Sequence, residues 1–486
     1  MRPLHYLCLS LTGVLFAANS VAAADEAKRP NIVFILADDL GINDLGCYGR
    51  ADHRTPHLDG LARAGARCTA AYCSQPICSP TRAALMTGKT PARLHLTTFL
   101  PGRPDCPSQK LLHPAIQQQL PLAEKTVAEC LKEAGYATGY VGKWHLGNKG
   151  FLPTDQGFDS YHPGQANTKP SDTEGGKGEY GLTAAAMQFI EANREKPFFL
   201  YLSHNNPHIP YTAAEARIKQ NSKAFEPTYA AVIETLDDAV GRLLAKLDEL
   251  KLTDRTLVVF TSDNGGLHVP EGPHAKITHN TPYRAGKGYL YEGGVRIPAI
   301  VRWPGRIPAG QQHATPVISA DWLPTLVDFA GAKAPAGLDG VSLAGLLTGK
   351  QPLAERPLYW HFPHYTNQGS RPAGAVRQGD WKLIEHYDDG KVELFNLTKD
   401  GGETTDLAAQ EADRVKQLRE RLAQWRKEVG AQTNEPNPKF EAALFRQLYV
   451  DVEPSRYQPA KASEADLERM LAWRKLMNGV LPKKNP

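Results

Sequence analysis

The chain has 486 residues, of which 41 % are hydrophobic and 22 % charged, proportions of a folded globular protein rather than a disordered or membrane-embedded one. Its formal charge of +4 is small and its Lys and Arg residues are dispersed among acids, so nucleic acid is not an expected partner, although a few local cations suit an anionic ligand. The length exceeds what one core organises, and a large domain with a smaller companion is expected.

Arg2, the apolar stretch Leu7 to Ala18 and the small residues Val21-Ala22-Ala23-Ala24 read as a secretory signal peptide over residues 1–24. The mature chain is therefore expected to begin near Asp25, secreted or periplasmic. The apolar run is too short to span a bilayer and no later one is long enough, so stable membrane insertion is not expected. Without Cys8 there remain Cys47, Cys68, Cys73, Cys78, Cys106 and Cys130, an even number that suits disulfides in an oxidising compartment.

Asn31 to Ala37 is an almost unbroken apolar run that stops at Asp38-Asp39, as expected of a strand buried on both faces. Thr256 to Thr261 repeats the pattern and leads into Ser262-Asp263-Asn264-Gly265-Gly266. Runs at Ala137 to Val141, Pro197 to Leu202 and Ile297 to Trp303 alternate with helical periodicity at Leu122 to Ala134, Leu182 to Asn193 and Tyr229 to Leu250. This predicts an α/β fold: a large mixed, mostly parallel sheet sandwiched by helices, with ligands at the carboxyl ends of its strands. Beyond about residue 350, short runs at Leu358 to Phe362, Ala375 to Glu385 and Val392 to Leu397 precede a charged helix at Ala412 to Val429. They predict a smaller antiparallel-sheet subdomain with one packing helix. The expected division is 25–350, 351–450, and a helical tail at 451–486 in which Ser463 is a helix cap.

Cys78-Ser79-Pro80-Thr81-Arg82, with the trailing Leu85-Met86-Thr87-Gly88, resembles the maturation signature of the type I, formylglycine-dependent sulfatases of the alkaline phosphatase superfamily. Lys89 stands where an arginine is commoner. The resemblance implies oxidation of Cys78 to formylglycine (3-oxoalanine) by a formylglycine-generating maturation enzyme that needs Pro80 and Arg82, and it counts Arg82 with residue 78 among the catalytic residues. The logic of such a group is that a hydrated aldehyde carries two hydroxyls, one to attack sulfur and one to expel sulfate afterwards.

Asp38, Asp39, Asp263 and Asn264 offer hard oxygen donors from two strand ends, a set that favours calcium or magnesium over zinc. The resemblance implies one calcium ion there, with residue 78 as a further ligand. Gly142-Lys143-Trp144-His145-Leu146-Gly147 matches another family block. By that resemblance Lys143 holds the sulfate or the formylglycine hydroxyl, and His145 accepts the proton as sulfate leaves. Pro207-His208-Ile209-Pro210 resembles the segment carrying the histidine near the leaving group, making His208 the general acid, with His204 the competing candidate. Arg284 to Gly288 with Tyr291 to Pro298 is close to a second long signature, which makes Lys287 the sulfate-binding lysine. Its flanking glycines are expected to let backbone approach the anion. Arg284 and Arg296 are expected in structural ion pairs.

Together these readings imply hydrolysis of a sulfate ester on a sulfated carbohydrate. A phosphonate or phosphodiester hydrolase is the enzyme alternative, and a silent glycan-binding homologue the non-enzymatic one. Arg93 to Arg103, His274 to His279, His361 to His364 and Arg371 are candidate subsite segments, and exo action on a terminal sugar is the corresponding hypothesis.

Overall fold

The computed structural model describes residues 29–164, 171 and 173–482; the expected signal peptide and Cys8 lie outside them. Among the described residues the main sheet has nine strands: β1 Asn31–Asp38, β2 Ala66–Tyr72, β3 Ala137–Gly142, β4 Ser160–Pro163, β5 Phe198–Pro207, β6 Thr256–Ser262, β7 Arg296–Arg302, β8 Gln311–His313 and β9 Val317–Ile318. They run in the order β4-β3-β5-β1-β6-β7-β2-β8, with β9 beside β2. All neighbours pair parallel except at β7, which is antiparallel to both β6 and β2.

Every residue of β1 is buried, and alternate side chains serve two cores. Ile32, Phe34 and Leu36 share one with Leu85, Leu131 and Leu326, from helices Cys78–Thr87, Val127–Glu133 and Trp322–Phe329. Val33, Ile35 and Ala37 share the other with Ile190 and Leu236, from helices Glu179–Ala192 and Pro227–Glu249. A period of two on a strand covered from both sides leaves no polar position, which is why the run reads as uninterrupted apolar sequence.

The three runs between residues 358 and 397 become a four-stranded antiparallel sheet: β10 Leu358–Phe362, β11 Ala373–Gln378, β12 Trp381–His386 and β13 Val392–Asn396. The run read as one element from Ala375 to Glu385 is a hairpin, turned at Gly379 with φ +56°. One face packs Val376, Leu383 and Leu394 against Leu418 and Leu422 of helix Ala412–Glu428. The other sends Trp360, Ile384 and Phe395 into the core of the large sheet.

Two further boundaries moved for physical reasons. The helix expected from Leu122 starts at Val127, because Thr126 and Glu129 form a reciprocal cap (Glu129 N–H to Thr126 Oγ1, 3.2 Å; Thr126 N–H to Glu129 Oε2, 2.7 Å). β5 continues beyond its apolar stretch to Pro207, because its polar end still pairs with Asp38 across a register shift. Ser463 caps helix Glu464–Gly479, accepting from Asp466 N–H at 3.2 Å. Cys47, Cys68, Cys73, Cys78, Cys106 and Cys130 are all free thiols.

Candidate active site

Because β1, β3, β5 and β6 run in one direction, their carboxyl ends gather four polar turns at one sheet edge: Asp38-Asp39, Lys143 to His145, Ser203 to His208 and Asp263-Asn264. Asp39 turns out of β1 with φ +67°, a conformation aspartate tolerates better than most residues. Opposite them the helix Cys78–Thr87 begins at Cys78, with no side chain capping that end. Its unsatisfied amides and dipole make this helix start hospitable to negative charge.

Charge pairing organises the floor. Lys143 Nζ lies 2.5 Å from Asp38 Oδ2, and Lys287 Nζ lies 2.7 Å from Asp39 Oδ2. Arg82 donates from Nε to Asp263 Oδ2 at 2.9 Å and from Nη1 to Ser203 Oγ at 2.7 Å and the Lys143 carbonyl at 2.8 Å. Asp263 Oδ1 accepts the Asp39 N–H at 3.1 Å, and Asn264 Nδ2 donates to Asp39 Oδ1 at 2.8 Å. Burial works against ionising Asp38, but Lys143, His208 and Arg82 outweigh it and hold its carboxyl well below the usual range. For Asp263 burial dominates, reinforced by Asp38, and pushes it up to about 7 despite Arg82.

Donor atoms of Asp38, Asp39, Cys78 and His208 converge within 4.8 Å of one another, with Cys78 Sγ 3.9 Å from Asp39 Oδ1. Asp38 Oδ1 and Asn264 Oδ1 are buried and accept no hydrogen bond among the described residues. Two orphaned hard oxygens beside three buried carboxylates are what a divalent cation satisfies, so these residues fit one. The expected set is thereby brought together with one difference. The difference is an added neighbour: His208 directs a ring nitrogen into the converging group, while the oxygens of Asp263 also accept from Arg82 and the Asp39 amide.

The histidines separate by their surroundings. His145, at φ +60°, is bonded through Nε2 to the Leu100 carbonyl at 2.9 Å, and its buried Nδ1 has no hydrogen-bond partner among the described residues. A carbonyl only accepts, so Nε2 carries the hydrogen and Nδ1 presents a lone pair. Burial and then Lys143 push this imidazole down to about 3, keeping it neutral. His208 is bonded through Nδ1 to the Ile209 carbonyl at 2.6 Å and directs Nε2 to within 3.7 Å of Asp39 Oδ2. Burial and Lys287 hold it down at about 4, against the pull of Asp39. His204 is fully buried against Glu179 through Nδ1, so the competing candidate does not reach the site.

A cleft of about 880 Å³ opens over this floor, reaching Asp38, Lys143, His145 and His208. Lys177 also lines it, bonded to the His208 carbonyl and to the Ile209 carbonyl at 3.2 Å, and burial lowers it to about 8. Sequence reasoning passed over Lys177, although Gly176-Lys177-Gly178 has the same spelling as Gly286-Lys287-Gly288. The glycines beside Lys287 have another cause than anion approach: a Cβ on Gly286 would lie 2.2 Å from the Gly266 carbonyl oxygen, so backbone packing excludes a side chain there. Arg284 and Arg296 form the expected structural pairs, each at 3.3 Å, with Glu393 and Glu292.

Parallel strand ends carrying acids, lysines and a helix-initial cysteine define a hydrolase site for an anionic ester. The chain belongs to the sulfatase family, whose profile matches residues 30–332, while that described as N-sulphoglucosamine sulphohydrolase, C-terminal, matches residues 285–428. It is similar to arylsulfatase A of Homo sapiens (38 % identity over 402 residues, 73 % of this chain and 75 % of that one). N-acetylgalactosamine-6-sulfatase of Canis lupus familiaris is 33 % identical over 383 residues, covering 72 % and 71 %. The crystal structure of Ps i-CgsB in complex with k-i-k-neocarrahexaose superposes with a TM-score of 0.71 at 30 % identity, covering 82 % of this chain and 93 % of that one. The protein is thus a sulfuric ester hydrolase. Among the described residues no helix is long and apolar enough to cross a membrane.

Proposed function

We propose that the cleft hydrolyses a sulfate ester on a sulfated carbohydrate, with residue 78 matured to formylglycine and one calcium ion held by Asp38, Asp39, Asp263 and Asn264. The observation that carries this reading is the placement of Cys78 at a helix start among Asp38, Asp39, Lys143 and Lys287, with two oxygen donors unsatisfied. A matured residue 78 supplies a geminal diol for attack on sulfur, and the cation supplies charge that favours the ionised nucleophile and the sulfate oxygens.

This chain's own residues do the rest. Arg82, Lys143 and Lys287 balance Asp38, Asp39 and Asp263, so a divalent cation leaves the floor positive for an incoming anion. Lys143 and Lys287 bind the sulfate oxygens, each anchored by an aspartate that fixes its ammonium. His145 accepts a proton at its bare Nδ1. His208, once protonated, donates through Nδ1 to Ile209 and through Nε2 to the departing alcohol oxygen. Arg82 holds Asp263, Ser203 and the Lys143 backbone in register. Carbohydrate as the carrier is supported by the sugar-bound Ps i-CgsB structure and by the name of the canine relative.

The same reading includes secretion or export to the periplasm, a formylglycine-generating maturation enzyme as partner, and the division at about residues 350 and 450. Hydrolysis of phosphonates or phosphodiesters is not favoured by the relatives above. The deciding experiment measures sulfate and phosphate release by ion chromatography from sulfated sugars and matched phosphoesters, using enzyme co-expressed with a maturase and Cys78→Ala as control. Sulfate from one sugar class, absent in the control, establishes the reading; dominant phosphate replaces it with the alternative.

A further inference from the structure

His208 sits on a loop beyond the last paired residue of β5, where neither sheet nor helix fixes its ring. What fixes it is a short segment entering the helix Glu179–Ala192. Lys177 donates to the carbonyls of both His208 and Ile209. The Ile209 carbonyl is also the acceptor for His208 Nδ1. One ammonium therefore holds the backbone of the histidine and the oxygen that sets its tautomer. Two residues on, the fully buried Glu179 carboxylate accepts the N–H groups of Asn205 and Asn206 at 3.1 and 3.0 Å through Oε1 and bonds His204 Nδ1 through Oε2. Asn205 Nδ2 returns a bond to the Lys177 carbonyl at 3.3 Å. Gly178, at φ +79°, turns the chain so that both side chains face the same loop.

We propose that Lys177 and Glu179 form a clamp that positions His208 for proton donation to the leaving alcohol, with Lys177 acting through the carbonyls of His208 and Ile209 rather than on the substrate. Such carbonyls present an oxygen to a cation with several donors, and a buried ammonium satisfied by two of them is held in one geometry. A loop histidine lacking this support would sample rings that do not face the cleft. The inference rests on the general-acid reading of His208.

The test compares kcat on an alkyl or sugar sulfate, whose leaving oxygen needs a proton, with kcat on 4-nitrophenyl sulfate, whose leaving group does not. Lys177→Met is expected to lower kcat on the sugar sulfate about 10- to 100-fold and on the nitrophenyl ester about 3-fold, a part of the full effect of a general acid. The double variant with His208→Ala is expected to be no worse than His208→Ala alone. Equal losses on both esters, additive losses with His208→Ala, or a rise in KM at constant kcat would each overturn the clamp, the last in favour of direct substrate contact. If His208→Ala itself shows no leaving-group bias, the general-acid reading fails; non-additivity still judges whether Lys177 acts through His208. Glu179→Gln, which preserves side-chain shape, is the second variant should Lys177→Met not fold, and the same leaving-group bias is expected from it.

Discussion

Arg82 stands one helical turn beyond Cys78, and its Nη2 meets Asp263 Oδ2 at 2.8 Å with both side chains withdrawn from solvent. A motif that reads as a label for a maturation enzyme is therefore also a structural strut. Removing one member of such a pair leaves a buried charge without compensation, at a cost of about 3–5 kcal/mol. Arg82→Met is expected to lose stability of that order in denaturant unfolding, quite apart from any loss of formylglycine. A variant within about 1 kcal/mol of wild type would show that Asp263 is held by other means.

The proposed calcium ion has a consequence that is visible without any substrate. The orphaned oxygens of Asp38 and Asn264 predict that a chelator lowers the melting temperature and that calcium restores it. A hundredfold excess of calcium over its Kd corresponds to about 2.7 kcal/mol. Asp38→Asn should abolish the calcium-dependent part of the shift. Elemental analysis of the purified protein distinguishes calcium from magnesium.

Lys143 and Lys287 each neutralise an aspartate, and the proposed function sets both against the substrate anion. Lys287→Ala is expected to reduce kcat/KM for a sulfate ester about 10²- to 10³-fold, the range found when a preorganised donor to developing charge is deleted. Inhibition by free sulfate should weaken in parallel. Steady-state kinetics with sulfate as product inhibitor checks both, and an unchanged inhibition constant would remove Lys287 from the anion site.

A pH effect arises away from the cleft. Lys382 lies 2.9 Å from both Glu292 Oε1 and Glu403 Oε1, all three fully buried. Burial pushes Glu403 up to about 7 against the pull of Lys382, while Glu292 is lowered because Lys382 and Arg296 outweigh its burial. A carboxyl raised in the folded state favours folding below its ordinary value of 4.5 and loses that contribution as pH rises toward about 7. Relative to Glu403→Gln, wild type should therefore lose stability between about pH 4.5 and 7. Glu292 acts in the opposite sense, and its contribution falls only as pH drops below 4.5. Urea unfolding of both proteins across this range resolves the two; parallel profiles would mean Glu403 stays ionised.

The parts of the molecule legible in sequence are those where one residue period or one motif answers to one physical demand. β1 and β6 were visible because strands covered on both faces have no polar position. β2 was not, because Ala66-Arg67-Cys68-Thr69-Ala70-Ala71-Tyr72 mixes small and polar residues in place of an unbroken apolar run, although it pairs with β7 on one side and with β8 and β9 on the other. The antiparallel direction of β7 could not be read either, since an apolar run carries no sign. At the site, the motif residues gather as expected, yet the choice between His204 and His208 required knowing which of two nearby side chains the buried Glu179 occupies. Lys177 was missed because its role lies in two backbone carbonyls of another segment, and contacts of that kind leave no pattern along the chain.

The buried trio of Lys382, Glu292 and Glu403 also bears on how the chain can be divided. Glu292 lies at the turn into β7 of the large sheet, whereas Lys382 belongs to β12 of the small one. Separating the sheets would strand a carboxylate on one piece and an ammonium on the other. Neither fragment would then carry a finished surface, and the free halves should associate or precipitate rather than stand alone. Evolution of this chain by exchanging the smaller sheet would have to carry the 284–296 segment along with it, making the seam, rather than either sheet, the heritable unit.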